Sequence, residues 1–450
     1  MLRRSFASGI GLLAVMLVGP VSAESLVDAL AAAYLNNPTI GAGRAQLRAV
    51  DERVPQALSG WRPTVEIDSS LGITRSKTNS LSAKTLTPWS GALSVVQPLY
   101  LGGRIVAGTQ KAESEVSAER ARLLTVEQDI LLATSIAYID VLRDEAVLDL
   151  NRNNIQVLQR QFQATQDRFE VGEITRTDVA QAEARLSRSV SDRVQSEGNL
   201  ISSRAAYARL VGSVPGTLDP APRLIDLPES ELNAIDIAMD NNPLLVAARA
   251  DEEASRYAIE VSRGRLLPTV FLNGDISHRE EVSVSVDEAS NFGFAAQVTV
   301  PLYQSGSVHS EIRQSREINS QRIIQVEEAR RKVIEGVTQA WEALNTAQAE
   351  IKSRGDEVNA AEIALEGVRQ ESIVGARTTL DVLDAEQELL DARVALVVAE
   401  RDEFVASFKL AAAIGGLTAA NLELPAELYD VRAHYNEVRG LPWVFDVPWP

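Results

Sequence analysis

The sequence predicts a mainly α-helical protein with a small β part, built as two copies of one long-helix hairpin unit. Three observations carry this. Residues 99–214 and 302–424 contain no proline, whereas Pro215, Pro220, Pro222 and Pro228 crowd the segment between them, so two long helical blocks flank a linker. Landmarks recur: Asn36-Asn37-Pro38 as Asn241-Asn242-Pro243 and Pro63-Thr64-Val65 as Pro268-Thr269-Val270, at an offset of 205. Further on, Pro98-Leu99-Tyr100 returns as Pro301-Leu302-Tyr303, Val171-Gly172 as Val374-Gly375 and Asp178-Val179 as Asp381-Val382, at an offset of 203. Inside each copy one segment alternates apolar and polar residues, the period of a strand.

The elements follow in order. Residues 1–23 read as a signal peptide, because Arg3 and Arg4 precede an apolar run from Gly9 to Gly19 and Val21-Ser22-Ala23 offers small residues for cleavage. The first repeat, 24–212, holds a helix over 26–60, strands at 63–75 and 89–100, a long helix over 104–170, a tip turn at 171–175 and a helix over 176–212. A linker occupies 213–233. The second repeat, 234–416, is entered by a helix over 231–265 and holds strands at 268–278 and 291–303, a long helix over 306–373, a tip turn at 374–378 and a helix over 379–415. A tail, 417–450, carries Trp443, Phe445 and Trp449.

The helices are marked by apolar stripes. Leu123, Val126, Ile130, Ala133, Ala137, Val141, Leu148, Ile155, Leu158, Phe162 and Phe169 fall at three- and four-residue spacing, and Leu124, Leu131 and Tyr138 form a second stripe beside them. That pattern gives the helix a neighbour on each side. A span of 104–170 is about 100 Å long at ~1.5 Å per residue. The helices over 176–212 and 231–265, stacked end to end, match one long helix, which places the linker and the segment after Gly416 as a belt at mid-length. At the tips, Gly172 and Gly375 supply the positive φ that a tight helix reversal needs.

The strands alternate Val65, Ile67, Leu71 and Ile73 with polar neighbours, then continue at Leu93, Val95 and Leu99 after a polar stretch from Ser76 to Thr87. Val270, Leu272, Ile276, Phe292, Phe294, Val298, Val300 and Leu302 repeat the pattern. These lengths approach the roughly 9–11 residues that cross a bilayer as a tilted strand, with Trp89, Tyr100 and Tyr303 placed for its interfaces. Four strands cannot close a barrel by themselves, and lipid forbids open edges, so several chains must share one. Two or three copies satisfy this geometry.

Composition excludes other classes. The net charge is −18, and −20 without the two leader arginines, which argues against nucleic acid as a partner. No cysteine is present, which excludes disulfides, thiolate metal sites and a lipid-anchoring cysteine. His278, His309 and His434 lack metal-ligand spacing, so no metal or cofactor is expected. Gly102-Gly103-Arg104 with Gly108 is matched in the repeat by Gln304-Ser305-Gly306-Ser307, the mark of a strand-to-helix turn rather than a phosphate loop. No nucleophile, base and orienting group assemble, so the chain does not read as an enzyme. A periplasmic coiled-coil adaptor and a structural outer-membrane protein remain as rival readings; the first lacks duplicated membrane strands and the second leaves the charged tips unexplained.

Val374-Gly375-Ala376-Arg377-Thr378-Thr379-Leu380-Asp381-Val382-Leu383-Asp384-Ala385 and Val171-Gly172-Glu173-Ile174-Thr175-Arg176-Thr177-Asp178-Val179 resemble the two tip turns of the TolC family of outer-membrane efflux proteins, and the resemblance extends over 24–416. It implies a homotrimer whose helices form an α-barrel continuous with a 12-stranded transmembrane β-barrel. It also implies an export channel for drugs or type I secreted proteins, working with a periplasmic adaptor and an inner-membrane ABC or proton-driven transporter. Carried over residue by residue, Arg377 is the gate arginine that bonds Thr177 and Asp178 of a neighbouring helix, and Asp381 and Asp384 ring the entrance. Val171, Gly172, Val374 and Gly375 are then the tip turns on which the adaptor docks. Ser372 and Glu173 depart from the family's pattern, which calls for a tyrosine and a hydrophobic residue there. Crowding of six ring carboxylates would raise their pKa values.

The assembly is testable directly. Purified in mild detergent, the protein should show the mass of three chains by light scattering, and a monomeric mass would refute the shared barrel.

Overall fold

The computed structural model describes residues 23–77, 82–222 and 227–440. Residues 1–22 of the signal peptide expected over 1–23 and the tail aromatics Trp443, Phe445 and Trp449 lie outside the described residues. In chain order the elements are α1 (Leu26–Asn36), α2 (Pro38–Asp51), α3 (Arg53–Leu58), β1 (Thr64–Leu71), β2 (Thr74–Ser76), β3 (Lys84–Leu86), β4 (Trp89–Leu101), α4 (Arg104–Glu170) and α5 (Arg176–Val211). There follow α6 (Glu231–Asn241), α7 (Pro243–Gly264), β5 (Thr269–Ser283), β6 (Val286–Thr299), α8 (Ser307–Ile373), α9 (Thr379–Ala413) and α10 (Ala433–Val438).

The expected helix over 26–60 is broken, and so is that over 231–265. Proline disfavours helical backbone in the residue before it. Asn37 accordingly sits at φ −68°, ψ 124° and Asn242 at φ −66°, ψ 120°. Each then restarts a helix, its side-chain oxygen accepting from Thr39 N at 2.9 Å or Leu244 N at 3.0 Å. The amide nitrogen of the same side chain donates to a carbonyl in the last turn of another helix, Asn37 to Leu210 O at 3.0 Å and Asn242 to Ala413 O at 2.8 Å. These bonds decide which short helices stack: α2 continues α5, and α7 continues α9. The stacking expected between 176–212 and 231–265 is therefore corrected. α4 lies between α2 and α7 on the strand side of this joint and between α5 and α9 on the tip side.

One sheet joins the two repeats in the order β1-β4-β5-β6, antiparallel throughout. Register sorts the side chains. Ile67, Leu93, Ile276 and Phe292 form one row across all four strands and Val65, Val95, Gly274 and Phe294 another; Glu66, Ser94, Asp275 and Gly293 line the opposite face. On the apolar face, Ile67, Leu71, Phe292 and Phe294 are each more than 70% exposed in the single chain. The second hairpin is longer than the sequence suggests, because its ladder runs on to Ser283 opposite Val286. β6 stops at Thr299, short of the expected 303, just before Pro301, which has no N–H for a ladder. In the first hairpin the strand expected over 63–75 is broken after Leu71, and its end, as β2, pairs with β3 inside the expected polar stretch from Ser76 to Thr87. A bulge between Pro98 and Tyr100 takes Leu99 out of the alternation.

The belt holds the largest core. Leu26, Leu30 and Tyr34 of α1, Leu131, Tyr138 and Val141 of α4, Tyr207 and Leu210 of α5, and Phe404 and Phe408 of α9 pack with Leu218 of the linker and Leu417 and Leu424 after α9. Polar bonds fix the crossing chains. Glu24 N donates to Thr217 O at 2.9 Å, and Asp219 N returns a bond to Glu24 O at 3.0 Å. The buried Tyr138 hydroxyl meets the Glu24 and Asp219 carbonyls at 2.9 and 2.7 Å, and Tyr207 donates to the Glu24 carboxylate at 2.6 Å. Burial raises the pKa of both phenols, which keeps them donors. The C-terminal strap is tied by Ala419 N to Glu127 at 2.7 Å and Tyr429 N to the Tyr34 hydroxyl at 3.0 Å. α10 packs on α2 through His434 and Asp51, 3.3 Å apart.

Because one asparagine both caps a helix and satisfies a carbonyl of the helix stacked on it, Asn37→Ala and Asn242→Ala should each cost about 1–2 kcal/mol. Thermal unfolding in detergent, followed by circular dichroism, should show both. Asn36→Ala should stay within about 0.5 kcal/mol of the parent.

Candidate functional site at the helical tips

α4 and α8 each run 67 residues and end in the same turn. After the first, Gly172 N donates to Phe169 O at 3.0 Å and Glu173 N to Arg168 O at 3.0 Å; after the second, Gly375 N donates to Ser372 O at 3.1 Å and Ala376 N to Glu371 O at 2.9 Å. These pairs are the two bonds of a Schellman motif, which places one residue in left-handed backbone. That residue is Gly172 at φ +79° and Gly375 at φ +78°. No heavy atom lies within 4 Å of where a Cβ would stand at either, so backbone conformation alone selects glycine.

A capping box opens the returning helix in both cases. Thr175 N and Oγ1 donate to Asp178 Oδ2 at 2.8 and 2.7 Å, and Asp178 N donates back to Thr175 Oγ1 at 3.4 Å. Thr378 and Asp381 repeat this with 2.8, 2.7 and 3.2 Å. Side-chain and backbone bonds from Thr175 hold the Asp178 carboxyl below its ordinary pKa; backbone and side-chain bonds from Thr378 do the same for Asp381. The expectation of a raised value is thus reversed for Asp381 within the protomer, because a carboxylate accepting N–H and O–H bonds favours its charged form.

The remaining tip charges also have partners in the chain. Arg377 Nε donates to Glu371 Oε2 at 2.8 Å, which raises its pKa. Asp384 accepts from Arg185 of α5. The structure therefore does not leave Asp381 and Asp384 as a free pair on one helix face: one turns back to its own N-cap, the other across to α5. Thr177 and Glu173 are exposed, and Arg168 reaches Glu173 at 3.2 Å. Phe169, expected in the apolar stripe, is 43% exposed, alongside Val171 and Val374 at 72% and 78%. Behind the turns, Leu158, Ala182 and Leu383 are buried together, with Phe162 and Leu186 against them.

Sequence reading missed Thr175, Thr378, Glu371 and Arg185. Two of these were visible, since Thr-x-x-Asp before an apolar run signals a capping box. The other two depend on contacts that sequence spacing does not reveal. Among the described residues no His, Cys, Asp and Glu side chains gather in a metal-binding group.

The caps make a pH prediction. Both aspartates are held below the ordinary value, so their contribution is complete above about pH 4 and is lost as pH falls further. Amide exchange at residues 175–178 and 378–381, referred to mid-helix amides, should quicken below that pH. Unchanged relative protection at about pH 3 would contradict the caps.

The chain matches the outer membrane efflux protein family over residues 29–213 and 234–416. It is 34% identical to the outer membrane efflux protein BepC of Brucella suis, over 92% of this chain and 91% of that one. It is 28% identical to the outer membrane protein TolC of Vibrio cholerae, over 88% and 92%. Among solved structures, the channel protein CusC superposes with a TM-score of 0.78 at 18% identity, covering 87% of this chain and 92% of that chain. The outer membrane protein VceC of Vibrio cholerae gives 0.74 at 20% identity, covering 87% and 96%. A β-sheet with an exposed apolar face, two 67-residue helices and a tandem-repeated match identify the chain as a member of the outer membrane efflux protein family, an export channel of the outer membrane.

Proposed function

We propose that three chains join their sheets into one 12-stranded barrel and their helices into a tube closed at the tips, through which drugs or type I secreted proteins leave the periplasm. The observation that carries this is the four-stranded sheet, apolar on one face and polar on the other, with unpaired edges at β1 and β6. In lipid those edges need partners, and further copies of the same sheet supply them. Twelve helix positions spaced about 8–10 Å apart enclose a bore of roughly 20–30 Å. A hole of that width must be shut at rest.

The tip turns are the closing elements. Arg377 uses Nε on Glu371, which leaves its two terminal nitrogens for Thr177 and Asp178 of a neighbouring helix. Asp178 accepts from Thr175 through Oδ2, and Oδ1 remains for that contact. The exposed Val171 and Val374 beside Gly172 and Gly375 offer an apolar landing for a helical hairpin of a periplasmic adaptor, which links the channel to an inner-membrane ABC or proton-driven transporter. Asp381 and Asp384 give the entrance its negative charge.

Ion conductance across planar bilayers tests the reading. The parent should conduct poorly, and Arg377→Ala should raise conductance severalfold, with Thr177→Val smaller in the same direction. A protein that never conducts would overturn the channel; a parent-like Arg377→Ala would overturn the role given to Arg377.

A further inference from the structure

On the tip side of the belt, each protomer consists of two helical hairpins, α4 with α5 and α8 with α9. The ion pairs between helices there fall into two groups. Arg204 with Glu145 at 2.7 Å, Arg369 with Glu386, and Arg393 with Glu362 at 2.7 Å lie inside one hairpin and hold it as a unit. Among the described residues, Arg401–Asp140 and Arg185–Asp384 cross from one hairpin to the other. Arg401 of α9 reaches Asp140 of α4 at 2.8 Å, beside the belt, where Arg143 also holds Asp140 at 2.9 Å. Arg185 of α5 meets Asp384 of α9 near the tip. Residues 384 and 401 are about 25 Å apart along α9 at ~1.5 Å per residue.

The tip crossing is more than an ion pair. Leu383 is 2% exposed and Ala182 1%, and both pack on Leu158 of α4, so three helices from both hairpins share one small apolar contact directly under the Arg185–Asp384 bond. Arg185 is three residues beyond Ala182, on the same helix face, and Asp384 follows Leu383. The belt crossing lies beside the large core around Tyr138 and Phe404 and is only about a quarter exposed. The tip crossing is small and half exposed, at the far end of the lever.

We propose that Arg185 is a positioning residue of the gate: it latches the α8/α9 hairpin to the α4/α5 hairpin within each protomer, and it neutralises Asp384 for as long as the latch is closed. This rests on the tips being the gate. Swinging the hairpins apart breaks the bond and leaves the Asp384 carboxylate without its cation at the entrance. Opening and cation preference are thereby coupled, so the open entrance carries more negative charge than the closed one.

Single-channel recording of the full-length trimer in a salt gradient tests this, with Arg185→Gln, Asp384→Asn and the swap of Arg185→Asp with Asp384→Arg. Arg185→Gln should raise open probability roughly fivefold, as expected when three exposed ion pairs of ordinary strength are lost together, and should increase cation preference. Asp384→Asn should raise open probability similarly while decreasing cation preference. The swap should return open probability to within about twofold of the parent. Light scattering confirms that each variant is assembled. The chain has no cysteine, so Arg185→Cys with Asp384→Cys, joined by a short cross-linker, should hold the channel shut even when Arg377→Ala is added. Parent-like open probability in both single variants, or a cross-linked channel that still opens, would overturn the latch. If Arg377→Ala opens the channel and Arg185→Gln does not, the latch alone fails; if neither opens it, the tip is not the gate and both fall.

Discussion

The backbone groups left unpaired along β1 and β6 constrain everything else in this molecule, because an N–H or C=O facing hydrocarbon without a partner costs several kcal/mol. A chain with four strands meets that constraint only by joining copies of itself. Once the sheets close, the helices that descend from them at Gly103 and Gly306 must stand in a ring, since both follow strands by left-handed glycine turns of near-identical φ, +76° and +77°. The ring encloses a hole whose width is set by the number of strands above it. In the proposed trimer, closing the tips is thus a consequence of membrane chemistry at the opposite end of the molecule.

Duplication solves a second problem, that of turning two helices per repeat into a wall that stays continuous past the belt. Each returning helix reaches only half the length of its partner, and its last carbonyls would be left bare inside the wall. Asn37 and Asn242 meet this need with one side chain apiece, starting the next helix while donating to the end of the previous one. The joint leaves no room for a larger residue nearby: a Cβ on Gly415 would stand 2.6 Å from Asn241 O, and Gly415 already needs φ +81°. Here the two repeats differ. The first joint is crossed by Glu24 and the linker, and Tyr138 and Tyr207 tie that crossing down.

Much of this was legible because the strongest signals are local. Proline-free stretches located α4 and α8, the recurring Val-Gly located the turns, and alternation from Thr64 onward located β1. What was missed has physical causes. The turn between β5 and β6 runs through Val284 and Ser285, with no glycine, asparagine or proline to announce it, so both strands read too short. The break at Asn37-Pro38 was present as a repeat landmark, yet a proline at the first helical position both ends one helix and begins another, and the apolar pattern continues across it. The stacking partners could not be read at all, since Asn37 and Leu210 are 173 residues apart and join only through the folded wall.

The tip shows why counting charges in a sequence is a poor guide to the field they create. The resemblance placed Asp381 and Asp384 as equals in an acidic ring, three residues apart on one helix. In the fold they have different duties. Asp381 is bound by the N–H and hydroxyl of Thr378, so it stays charged to low pH but is directed at its own helix terminus. Asp384 faces a guanidinium carried by another helix, and in the proposed gate its contribution depends on where that helix lies. A carboxylate fixed by a cap contributes a constant charge, and one fixed by an inter-helix ion pair contributes a charge that varies with conformation. Selectivity in a channel whose walls move is therefore set by which of its charges are tied within an element and which are tied between elements.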